Sequence, residues 1–121
     1  MADIVDARRA DPAVSSARAE SLAVTIRATH DLVTVSVRGE LDIATAPILV
    51  DAFDAARLED PSLVVVDVGG LRFVDAHGLS VLIAARRSLR SRSADLVVRD
   101  PSAMLQKMLA ITGLASLAET V

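Results

Sequence analysis

Cysteine, tryptophan and tyrosine are absent from the 121 residues, and Phe53 and Phe73 are the only aromatic side chains. Without cysteine there is no disulfide framework, no thiolate metal site and no thiol nucleophile. Histidine is nearly as scarce: His30 and His77 stand alone and far apart, so the paired spacing of zinc ligands does not occur. No apolar run approaches the ~18 residues needed to span a bilayer. The first twenty residues mix Asp3, Asp6, Arg8, Arg9 and Asp11 with alanine, unlike the apolar stretch of a secretory signal. The expectation is a cytoplasmic protein with no membrane insertion. Positive charge is not in excess either, since 13 Lys and Arg face 16 Asp and Glu for a net charge of −3. Basic stripes and stacking rings are what hold nucleic acids, and both are missing, which argues against direct binding to DNA or RNA.

What is present is the makeup of one globular domain, with 52% hydrophobic and 24% charged residues. A chain of this size buries roughly two thirds of its unfolded surface. Residues 1–20, with Pro12 and scattered charge, read as a flexible tail, and 21–121 as the domain. Leu22, Val24 and Ile26 alternate with Ala23, Thr25 and Arg27, and Val33, Val35 and Val37 with Thr34, Ser36 and Arg38. That is the period of two half-buried strands, with His30-Asp31 at the turn between them. Ile48, Leu49, Ala52, Phe53 and Ala56 recur at helical spacing, which predicts a helix over 45–58 with Thr45 as a cap and Pro47 in the first turn. The β-branched run Leu63-Val64-Val65-Val66 reads as a central strand covered on both faces and closed by Gly69-Gly70. A second helix is predicted over 76–90 and a strand at Leu96-Val97-Val98. A third helix is expected to have Asp100 as cap, Pro101 at its first position, Met104, Leu105, Met108 and Leu109 as its core face, and Gly113 as its stop. Residues 115–119 read as a short edge strand. Strands alternating with helices imply an α/β fold: a four- to five-stranded mixed sheet packed with three main helices.

The segment from Val66 to Leu82 holds the densest signal. It reads as a buried strand, a loop loosened by glycines, a capping Asp75 and a helix opening at Ala76. Such a helix start carries free N–H groups and a partial positive charge. Phe73-Val74-Asp75-Ala76-His77-Gly78-Leu79 resembles the signature of STAS domains, a Phe-hydrophobic-Asp-Ser-Ser/Thr-Gly-Leu motif following a buried strand that ends in Asp. Gly39-Glu40-Leu41-Asp42 and Leu109-Ala110-Ile111-Thr112-Gly113-Leu114 are similar to two further stretches of the same family, in order and at the right spacing, so the resemblance covers about residues 22–119. It implies a protein-binding regulator like the family's bacterial anti-sigma factor antagonists. In those, the first Ser of the motif is phosphorylated by a partner kinase that is also the anti-sigma factor, and phosphorylation releases the antagonist. Ala76 stands at that position and has no hydroxyl, so it is the phosphorylation-site equivalent but cannot take a phosphate. Many family members carry a further C-terminal helix, and this sequence stops at Val121.

The candidate partner-binding residues are Glu40, Asp42, Asp75, Ala76, His77 and Ser80. Each has a plainer reading beside it. Asp75 reads first as a helix cap contributing ~1 kcal/mol. Asp67 sits where a phospho-accepting aspartate would but lacks the acidic cluster that such chemistry needs. His77 lies in the positive end-field of a helix, which disfavours its charged form. Ser80 is the nearest helical hydroxyl, and its backbone belongs to the helix. Arg86, Arg87, Arg90 and Arg92 could meet an acidic partner or form a solvated face. No nucleophile, metal cluster or phosphate cradle accompanies these groups, so neither catalysis nor a cofactor is expected. The expected partner is a kinase-like anti-sigma factor. The alternative is a non-phosphorylated STAS subunit of a larger assembly, such as a lipid-transport ATPase or a stress-signalling scaffold.

Overall fold

A computed structural model describes residues 2–6 and 21–118. Its elements in chain order are β1 (Ala2–Asp6), β2 (Leu22–Thr29), β3 (Leu32–Leu41), α1 (Ala46–Arg57), β4 (Leu63–Val74), α2 (Ala76–Arg90), β5 (Asp95–Arg99) and α3 (Ala103–Ile111). A 3-10 turn, Ala115–Leu117, follows. The five strands form one mixed sheet in the order β1-β2-β3-β4-β5, as the alternation of strand and helix patterns implies.

The two alternating stretches pair antiparallel as β2 and β3, with Val24 opposite Val37 and Ile26 opposite Val35. Their apolar side chains are buried. His30 makes the turn at φ +52, a left-handed conformation that His enters more readily than most residues. From β3 onward the pairing is parallel, β3 with β4 and β4 with β5. Parallel neighbours need long crossovers, and α1 and α2 supply them. Val64, Val65 and Val66 are all buried, as an unbroken β-branched run predicts. The middle position in the sheet belongs to β3, however, and β4 lies one place over.

Several expectations change in detail. Strand β1 pairs antiparallel with β2 and lies inside the stretch read as a flexible tail, while residues 7–20 lie outside the described residues. Gly69-Gly70 does not close β4, which continues to Val74. The parallel ladder is interrupted beside the glycines and then resumes. Glycine permits this because a Cβ on Gly70 would collide with Arg38 Cγ. The third helix begins two residues later than expected. Asp100 adopts φ +58 and is not a cap, and Ser102 caps α3 by accepting from Leu105 N at 3.1 Å. Leu105 and Leu109 form its buried ridge, leaving Met104 60% exposed outside the core. Residues 115–117 coil as the 3-10 turn, and among the described residues a single bridge, Val98 to Ala118, joins that region to the sheet. Gly113, at φ +77, ends α3 as expected.

Candidate functional site

Because β3 and β4 run parallel, their C-terminal ends emerge at the same edge, with Glu40 opposite Phe73 and Leu41 opposite Val74. This register places Glu40-Leu41-Asp42 beside the start of α2. Asp75 N donates to Leu41 O at 3.1 Å and extends the contact by one residue.

Asp42 Oδ1 accepts from the backbone N–H groups of Ala44 and Thr45, both at 2.9 Å. Thr45 is buried at the N-cap position of α1, but its hydroxyl turns back, donating to Glu40 O at 2.8 Å and accepting from Asp42 N at 3.0 Å. The 40–45 loop is therefore fixed by its own polar groups, and no side chain caps α1. Asp75 caps α2: its Oδ1 accepts from Gly78 N at 2.8 Å, and its carbonyl accepts from Leu79 N at 3.0 Å. Gly78 is buried against β3, where a Cβ would lie 2.7 Å from Leu41 Cγ and 3.0 Å from Leu41 O. Capping and this close approach together hold the helix start rigidly on the sheet edge.

The outer surface of that edge carries the remaining candidates. Ala76, His77 and Ser80 are exposed on α2, and the Ser80 hydroxyl donates to His77 O at 2.6 Å. Glu40 faces Arg72 at 3.9 Å with both side chains largely in solvent, a pair that contributes little to stability. Two large apolar side chains stand exposed at the same edge, Ile43 at 68% and Phe73 at 46%. Ile43 was not singled out in the sequence, although an isoleucine in a loop whose polar groups are satisfied locally is the signal that could have found it. The structure thus brings all six candidates to one end of the sheet, with the Asp42 and Asp75 carboxylates turned into the local fold and Glu40, Ala76, His77 and Ser80 on the outer surface.

The other groups of interest lie elsewhere. Asp67 Oδ1 accepts from Gly69 N at 3.0 Å, and the described residues contain no cluster of three potential metal ligands. Of the arginine run, Arg86 and Arg90 converge on Asp95 Oδ1 at 3.0 and 3.4 Å, and Arg86 also reaches Ser116 Oγ at 3.3 Å. Burial pushes the Asp95 carboxyl up, but the Leu96 N–H and the two arginines outweigh it and hold the group below its ordinary value. Among the described residues no helix is long and apolar enough to cross a membrane.

A mixed sheet of this order, whose β4 leads through a capped, glycine-packed turn into a helix, defines a STAS-type module. Residues 24–119 match the family described as Mlab, STAS domain, and the chain belongs to the STAS domain family. It is 32% identical over 89 residues to the anti-sigma-B factor antagonist of Listeria monocytogenes, covering 74% of this chain and 78% of that one. An anti-sigma factor antagonist from Mycobacterium paratuberculosis shares 26% identity at a TM-score of 0.73, over 82% of this chain and 84% of that one. The unphosphorylated form of SpoIIAA shares the fold at a TM-score of 0.71 and 18% identity, over 81% and 87% of the two chains.

Proposed function

We propose that this chain is an anti-sigma factor antagonist, a protein-binding regulator that contacts an anti-sigma factor through the 39–46 loop and the first turns of α2. The observation that carries the reading is the exposed helix start, with Ala76 and His77 outward and Ile43 and Phe73 beside them, in a chain that resembles relatives named for this activity. Exposed apolar side chains next to a rigid, polar-capped element are what a partner surface needs. Ala76 cannot accept a phosphate, so the surface stands permanently in the state that binds.

Ala76→Glu tests this. A carboxylate at a helix N-terminus favours the fold by about 0.3–1 kcal/mol, so the melting temperature holds or rises. The same charge, like the ~−1.5 to −2 of a phosphate, is desolvated or repelled in the interface, and affinity for the anti-sigma factor falls about tenfold or more. Ala76→Ser binds as the wild type does. The partner is first recovered by affinity capture and mass spectrometry. Capture of a transport ATPase without any anti-sigma factor, or unchanged affinity of a folded Ala76→Glu, overturns the reading.

A further inference from the structure

A cavity of about 280 Å³ opens between α1 and α2, and no side chain of the described residues fills it. Its inner wall is Phe53, Ala56, Val64 and Leu89, all buried. Small side chains line it on both helices, Ala56 on α1 and Ala84 and Ala85 on α2. Among the described residues, polar groups appear around it only as Asp54, Arg57, His77 and Ser80. Close packing is the rule in protein interiors, and an apolar void of roughly 150 Å³ is enough to take up benzene. This one is nearly twice that and approaches the lower end of ordinary ligand pockets, about 300 Å³.

The polar groups say what kind of head an occupant carries. Arg57 donates to Asp54 Oδ1 at 2.8 Å and to Ser88 Oγ at 3.4 Å, which leaves further N–H groups of its five-donor fork for another acceptor. The Asp54 oxygen already faces that guanidinium, and the Ser80 hydroxyl proton goes to His77 O. Arg57 is the only cation among the described residues that line the cavity, and its remaining N–H groups are the charged donors there. An acceptor head on an apolar body satisfies both parts of the site. We propose that the α1–α2 cavity binds a small amphipathic carboxylic acid, with its hydrocarbon body of about eight to ten carbons against Phe53 and Leu89 and its carboxylate on Arg57. The site borders the partner surface proposed above, since His77 and Ser80 belong to both.

Octanoate, with octanol as the neutral probe of equal length, tests this in a titration of the whole ¹⁵N-labelled protein followed by NMR. Octanoate is expected to give saturable shifts at Phe53, Ala56, Val64, Val81 and Leu89, with a Kd on the order of 0.1–1 mM. Octanol binds at least fivefold more weakly, and Arg57→Gln removes most of that difference. Ala85→Leu fills the cavity and weakens octanoate at least tenfold. Ala84→Leu, at an exposed position on the rim, does the same where Ala85→Leu fails to fold. Shifts that do not saturate, or that scatter over the surface, overturn the site. Undiminished affinity in a folded cavity-filling variant does so as well, and equal affinity of octanoate and octanol overturns the carboxylate assignment.

Discussion

At Asp75 one carboxylate sets where α2 begins and, through that, where Ala76 and His77 stand. Its acceptance from Gly78 N at 2.8 Å satisfies a helix-end donor that would otherwise lack a partner. Asp75→Ala is expected to lower stability by about 1 kcal/mol, and Asp75→Asn, which keeps a capping oxygen, to retain most of it. Urea unfolding followed by circular dichroism measures both. The cap was legible because Asp immediately precedes an apolar periodicity opening at position 76. The role of Asp42 was less so: its place beside the site was readable, but not that its carboxylate would turn inward onto the Ala44 and Thr45 amides. Met104 was misread because the apolar stripe of 104, 105, 108 and 109 is wider than the ridge that packs on the sheet. Its neighbour Leu105 faces the core, and at 100° per residue Met104 falls to the side of the Leu105–Leu109 ridge and into solvent.

Among the elements, α2 is tied to β5 and to the C-terminal turn by charge as well as by packing. Arg86 is only 13% exposed and reaches both Asp95 and Ser116, and Arg90, one turn further, reaches Asp95. In the sequence the four arginines read as either a partner face or a solvated one. Two of them instead close an internal contact whose acid lies beyond a tight turn. The i, i+4 spacing of Arg86 and Arg90 was the visible half of that pattern, and the three-dimensional return of Asp95 was the invisible half. Asp95 is held below its ordinary value of 3.8. A carboxylate whose value is depressed by folding contributes stability that is fully present above its unfolded value and is lost as pH falls through the folded one. The wild type should therefore lose melting temperature as pH drops below about 4, and Asp95→Asn should lose less over the same interval. The variant starts lower at neutral pH, and the two curves converge under acid. Scanning calorimetry across pH 2–7 measures this, and added salt should shrink the difference because Asp95 is partly exposed.

For the whole molecule, the sheet, its three helices and the placing of the motif at a helix start were legible from periodicity and turn residues, while the order of the strands was not. Nothing in Leu63–Val66 says that β3 takes the middle position, because that depends on which elements cover which edges. The parallel seam between β3 and β4 also has a kinetic consequence. The β2–β3 hairpin joins neighbours in the chain and forms on the microsecond scale, whereas β3 cannot meet β4 until α1 has crossed over. Refolding is expected in milliseconds or longer, as measured by stopped-flow dilution from denaturant. During synthesis the interval is longer still. At 5–20 residues per second, the 33 residues separating Leu41 from Val74 take about 2–7 seconds to appear. Over that time the free edge of β3 is open to other strands. The edge that presents Ile43, Phe73 and Ala76 is built by this late seam, so a nascent or partly folded chain lacks the surface proposed for the partner, and any binding through it begins only when folding is complete.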